Sequence, residues 1–305
     1  MENTEDTKAV VKQVDLNKAD ELMGEMFAHT RKHLPKDLEG WVFRGQMDAS
    51  WNLEPSVFRK GALDKYQNLF LESGHDKWQA LENEMAIIDR FAAMVDSHGF
   101  QVPGNNEALR TTVSEARFDR LPHTLWEGVY ALAQHYGVPT RLLDWSHKTL
   151  VGAYFACNLA AEYASDFRHG TSKQVKPPTR FAFWALNRQR TESEVSSLDI
   201  ATDFIAAPAA LIPNLKAQAG LFSVLRFAKN GAGRTPNSYR PPDLNLWLEG
   251  QKWSGEPLLY KFTLPIGQAG RLLAMLADAD ITAATVFPGL HSLELAMYET
   301  TLHRP

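Results

Sequence analysis

The sequence is short of several things that would have made its chemistry obvious. It has one cysteine, Cys157, among 305 residues, so no disulfide can form within the chain. Cys157 follows an apolar helical stretch and reads as a buried structural thiol. No run of about 18 apolar residues is present, which excludes a membrane-spanning helix. The opening residues, MENTEDTK, are acidic where a signal peptide would be basic and then apolar, so a cytoplasmic setting is expected. There is no dinucleotide-binding GxGxxG, no phosphate-binding glycine loop and no nucleophile elbow. His135 has no second His or Cys at ligand spacing, so no metal is expected. Internal repeats and low-complexity tracts are absent as well.

What is present fits an ordinary folded chain, 44% hydrophobic and 22% charged with a net charge of −4. That balance gives the molecule as a whole no attraction for polyanions. One stretch departs from it. Lys216, Arg226, Lys229, Arg234 and Arg240 occur with no Asp or Glu between them. The reading is either a solvated loop or a docking site for phosphate or nucleic acid.

The apolar spacing predicts helices at 15–34, 78–96, 107–119, 124–136, 147–163 and 267–279. Short strands are expected at Trp41–Phe43 and from Leu142, and longer ones at 180–187, 219–227 and 258–264, with 281–287 a strand or extended segment. Gly137 is placed as the left-handed cap of 124–136. Helices dominate the first half and strands the second. The expectation is an α+β fold, one domain over 1–305, with a motif-bearing core at about 40–295 and an N-terminal helix within 1–39.

Two clusters carry polar chemistry. In Phe43-Arg44-Gly45-Gln46, the arginine stands at a strand end, suited to a bidentate phosphate or carboxylate grip. Gly45 removes the side chain that would block a ligand near the backbone. The alternative is a buried arginine paired to a structural carboxylate. The second cluster runs from Gln134 through His135, Tyr136, Thr140, Arg141 and Asp144 to Ser146 between two apolar helices. Polar groups at that density must bond one another or a ligand.

WVFRGQ with Trp51-Asn52-Leu53-Glu54-Pro55-Ser56 and Arg59, then ALAQHYGVPTRLLDWS with Ala153-Tyr154-Phe155-Ala156, then Gln218-Ala219-Gly220-Leu221-Phe222, and finally ITAATVFPGL resemble in order and spacing the motifs of the FRG domain family. The last element departs from the family pattern: Gly289 and His291 stand where the family has acids, leaving Glu294 or Glu299 as substitutes. The same residues bear a weaker resemblance to ADP-ribosyltransferases of the Arg-Ser-Glu type. That resemblance implies a mixed or antiparallel sheet like the split sheet of those enzymes, with NAD as substrate and no metal. It implies catalytic roles for Arg44, Asp144, Ser146 and Gln218, the last standing where a glutamate is usual. It implies NAD contacts from Arg44, Gly45, Gln46, Tyr136, Arg141, Ser146 and Tyr154. ADP-ribose would pass to a nucleic acid such as RNA or to a protein, in a bacterial toxin or phage-defence effector restrained by an antitoxin or chaperone. A noncatalytic nucleotide- or RNA-binding module and an NAD glycohydrolase are the alternatives.

Overall fold

Seven stretches of β-branched and aromatic residues form a single sheet in the computed structural model, which describes residues 9–72, 80–103, 126–169, 178–195, 200–207, 212–227 and 240–303. The strands are β1 (Val11–Asp15), β2 (Trp41–Gln46), β3 (Leu143–Ser146), β4 (Arg180–Asn187), β5 (Ile200–Ile205), β6 (Gly220–Phe227) and β7 (Leu259–Pro265). Their order is β1-β7-β4-β2-β3-β6-β5. Among the described residues only the β1–β7 pairing is parallel; the others are antiparallel. The fold is therefore α+β with a mixed sheet, as expected.

The sheet is weakly joined at one place. β2 pairs with β4 along its whole length, but with β3 only through Phe43 and Ser146. Four strands lie on one side of that junction and three on the other.

Alternation along the strands divides the core between the two sheet faces. Trp41, Phe43, Phe181, Phe183 and Phe262 pack with the helices Ala19–Met26, Thr149–His169 and Ala269–Asp278. Val42, Ala182, Trp184, Leu186 and Leu259 form the opposite cluster, which the helix Leu244–Glu249 covers. Cys157 is fully buried in the first cluster.

The backbone of β2 and the Thr149–His169 helix approach closely because glycine stands on both sides. A Cβ on Gly45 would lie 1.9 Å from the nitrogen of Ala156, and one on Gly152 would lie 2.6 Å from the Cβ of Phe43. Such distances admit no side chain at either position.

Several sequence expectations need correction. The helix expected over 15–34 spans only Ala19–Met26, and an unforeseen edge strand, β1, precedes it. The Arg31 guanidinium donates to the carbonyls of Glu25 and Met26. The Thr30 hydroxyl donates to those of Gly24 and Phe27. Side chains thus take the carbonyls that another turn of helix would have used. Residues 281–287, read as extended, contain the short helix Ala283–Val286. The helix expected at 107–119 lies outside the described residues. The unassigned stretch 198–216 holds β5 and the helix Pro213–Ala217. No helix among the described residues is long and apolar enough to cross a membrane.

Candidate functional site

The loosely sealed junction between β2 and β3 opens into a cavity of about 600 Å³. Arg44 and Gln46 from β2, Asp144 and Ser146 from β3, and Gln218 from the turn before β6 all line it. Register explains the meeting: Phe43 lies opposite Ser146, and Ser146 opposite Gly220. Residues far apart in the chain therefore reach one cavity from two neighbouring strands and the turn that enters a third.

Arg44 is held mainly by backbone. Its Nη1 donates to the carbonyl of Asp144 at 2.7 Å, while the Asp144 carboxylate is 3.5 Å away and largely solvated. The Arg44 Nε is buried with no hydrogen-bond partner among the described residues. Burial lowers the affinity of this guanidinium for its proton; the Asp144 carboxylate opposes that shift and the positive charge of Arg59 adds to it. Arginine stays charged through such changes. The site thus presents an incompletely bonded cation near a second one.

Ser146 is buried, and its hydroxyl donates to the carbonyl of Gln218 at 2.6 Å while accepting from the backbone N–H of Lys148 at 2.9 Å. Its proton is therefore engaged, and what it can offer a ligand is an acceptor lone pair. Ala219, next to Gln218, has φ of 46°, a left-handed conformation uncommon for a residue with a side chain. His147 N–H bonds its carbonyl at 3.0 Å, so contacts on either side of the strained peptide hold Gln218 beside Ser146. The Gln218 Nε2 donates to the carbonyl of Val286 at 3.3 Å. His135 also lines the cavity, and burial moves its pKa below the usual imidazole value, favouring the neutral ring.

Five other expected contacts turn out differently. Arg141 does not line this cavity: its side chain is buried and its Nε and Nη2 are taken by the buried carboxylate of Glu84. Tyr154 points into the core, its hydroxyl donating to Glu299 and its ring set edge-on to Phe155 and Phe287. Tyr136 is 68% exposed and is not among the cavity's lining residues. Gly45 does line the cavity, but its missing side chain is required by Ala156 rather than by a ligand. The Gln46 amide is spent within the fold, accepting from Trp184 Nε1 at 2.7 Å and donating to the Asn52 carbonyl at 3.0 Å.

The proposed substitute acids fare no better. Glu299 is buried and also accepts the N–H of Ala283 at 2.9 Å. Glu294 is exposed and does not line the cavity. Asp144 is the cavity's carboxylate among the described residues.

Other lining residues escaped the sequence reading. Phe155, Asn158 and Leu159 present the face of the Thr149–His169 helix beside the one that Tyr154 buries. Their spacing of three and four, with an asparagine inside an apolar run, was the available signal. Trp51, Asn214 and Phe287 complete a wall of aromatics and amides around the two arginines. Among the described residues no group of three or more His, Cys, Asp or Glu is placed to hold a metal ion.

The basic stretch is less open than its sequence suggests. Arg226 Nε is 2.5 Å from the Asp203 carboxylate, and Arg240 Nη2 is 2.5 Å from that of Glu54 and 2.9 Å from that of Asp243. Lys229 and Arg234 lie outside the described residues.

In comparison with known proteins, residues 39–165 match the family model of the FRG domain. That span contains β2, β3 and most of the Thr149–His169 helix, and with them Arg44, Asp144 and Ser146. No curated protein and no solved structure matches the chain.

Proposed function

Because the chain carries an FRG domain over residues 39–165, with its motifs meeting at one cavity, we propose that it binds NAD there and transfers ADP-ribose to a nucleic acid or protein. The observation that carries this reading is the convergence of Arg44 and Ser146 from neighbouring strands with Gln218 from the turn before β6. It is the order in which Arg-Ser-Glu type ADP-ribosyltransferases, which these residues resemble, deploy their own elements.

In this scheme Arg44 grips a phosphate or ribose oxygen of NAD, because it lines the cavity and its charge faces only a solvated carboxylate 3.5 Å away among the described residues. Ser146 accepts a hydrogen bond from a ribose hydroxyl. Aromatic side chains of the wall receive the nicotinamide ring. The bond between ribose C1′ and nicotinamide nitrogen breaks, and its electron pair leaves with nicotinamide. A hydroxyl or amine of the acceptor then bonds C1′ and releases a proton. Asp144 is the carboxylate that stabilises the developing positive charge and takes that proton.

A second reading follows from Gln218. An amide stands where the resembling enzymes place a glutamate, and Asp144 is solvated, which suits a module that holds a nucleotide without turning it over. Incubating the pure protein with NAD labelled in its adenylate half, in the presence of RNA and cell proteins, separates these ideas. Label on a macromolecule supports transfer. Free ADP-ribose as the main product makes the protein a glycohydrolase. Binding without turnover supports the noncatalytic module and overturns the transferase.

A further inference from the structure

A second cavity, of about 500 Å³, adjoins the first. The two share Arg44, Arg59 and Asp144. The second is strongly cationic: Arg44, Arg59, Lys60 and Lys65 line it against one carboxylate among the described residues, that of Asp144.

Among the described residues these charges have little compensation beyond the Arg44–Asp144 pair. Lys60 makes no ion pair with a described residue, and Lys65 lies only over the ring of Tyr66, 5.0 Å from its centroid. Arg59 donates to the backbone carbonyl of Glu54, whose carboxylate is occupied by Arg240. Arg44 retains its unpartnered Nε. Like charges gathered in this way repel one another, and a polyanion relieves the repulsion.

Two exposed aromatic side chains belong to the segments that build these cavities. Trp51, 45% exposed, stands in the wall of the first, and Tyr136, 68% exposed, sits in the chain between His135, which lines the first, and Gly137, which lines the second. Gly61, at φ of +78°, turns the backbone at the cavity's rim, between Lys60 and Lys65. Val138, Pro139 and Leu142 supply an apolar floor. Cations along a groove with exposed rings beside them form the surface that receives single-stranded nucleic acid, with phosphates on the cations and bases stacked on the rings.

We propose that the Arg59–Lys60–Lys65 cavity binds single-stranded nucleic acid and leads it to the neighbouring cavity as the acceptor. The proposal deepens the proposed function and rests on it only in calling the bound strand an acceptor; binding itself stands on the charges and rings. It also moves the nucleic-acid surface away from the basic stretch between Lys216 and Arg240. Arg226 and Arg240, its internally paired cations, are poor phosphate ligands.

Fluorescence anisotropy of the full chain, without NAD, tests it with labelled uridine and deoxythymidine oligomers of about twelve nucleotides. Wild type should bind at low salt, and log K should fall linearly with log salt by about 0.7 per phosphate neutralised. The Lys60→Ala/Lys65→Ala variant should bind at least roughly tenfold more weakly and lose about 1.4 from the slope, two phosphates' worth. Tyr136→Ala should weaken binding roughly tenfold with an unchanged slope. Thermal melts matching wild type establish that both variants are folded. Preference for the ribo- over the deoxyribo-oligomer would identify RNA as the source, and equal binding a backbone reader of either.

No binding at low salt, or binding untouched by the double variant, overturns the proposal; a label transferred only to protein overturns the acceptor role. NAD turnover is measured on the same preparations. Its absence beside intact oligomer binding defeats the transferase reading and leaves the strand site standing.

Discussion

Arg44 is fastened to the main chain of Asp144 rather than to its carboxylate, with Nη1 2.7 Å from the carbonyl and 3.5 Å from Oδ2. Since the carboxylate is largely exposed, deleting it strands no buried charge. Asp144→Ala should therefore cost no more than about 1 kcal/mol of stability. Arg44→Lys keeps the charge but loses the planar fork, and should reduce NAD binding at least roughly tenfold with a melting temperature near wild type. Thermal melts of Arg44→Ala, Asp144→Ala and the double variant complete the test. Large single losses relieved in the double variant would mean a structural ion pair and remove Arg44 from the ligand site.

Gly45 tests the packing of the helix behind the cavity. Gly45→Ala places a methyl against the Ala156 backbone, which cannot swing aside as a side chain would. The expected loss is at least about 1–3 kcal/mol, read by urea unfolding. Stability equal to wild type would show that the helix has room to retreat.

Arg141 behaves as a core residue. Removing it leaves Glu84 buried without its cation, so Arg141→Ala should cost about 3–5 kcal/mol. Replacing both partners with leucine should recover much of that loss. In the folded fraction of the double variant, measured by titration calorimetry, NAD affinity should be unchanged. Lost affinity in a well-folded double variant would return Arg141 to the ligand site.

Acid sensitivity should trace in part to Glu25. Burial pushes this carboxyl up, but the N–H of Leu34, the His33 ring and the N–H groups of Lys32 and His33 together hold it below its ordinary value. A lowered folded-state pKa contributes stability above the unfolded glutamate range, and that stability is lost as pH falls through the folded value. Glu25→Gln should therefore be less stable near neutrality, with the gap narrowing on acidification. A constant gap across the acid limb of a stability–pH curve would assign the effect to lost contacts alone.

Much of the site could be read before any coordinates. Arg44, Asp144, Ser146 and Gln218 belong to motifs whose order and spacing are visible in the chain, and they do share one cavity. Side-chain direction was less legible. Tyr154 and Phe155 are neighbours in one motif, yet only Phe155 faces the cavity, because helical rotation separates adjacent residues by about 100°. Arg141 looked like a ligand group because its partner, Glu84, lies 57 positions earlier, beyond any local pattern. The N-terminal helix is expected too long because Pro35 is the first clear stop signal after the apolar spacing, whereas its termination depends on Thr30 and Arg31 turning back upon it. Strands β4, β6 and β7 came through well, since long aromatic and β-branched runs leave few alternatives.

The lone Phe43–Ser146 pairing has a consequence for how such a protein changes its ligand. With so little backbone bonding across the junction, the separation of its walls depends on how the Thr149–His169 helix beds against β2, hence on Gly45, Gly152 and the alanines around them. A change of one methyl group on that buried seam would widen or narrow the opening without altering the identity of any ligand-facing side chain. Selectivity in this architecture is thus adjustable from behind, through the buried seam of Gly152 and Ala156.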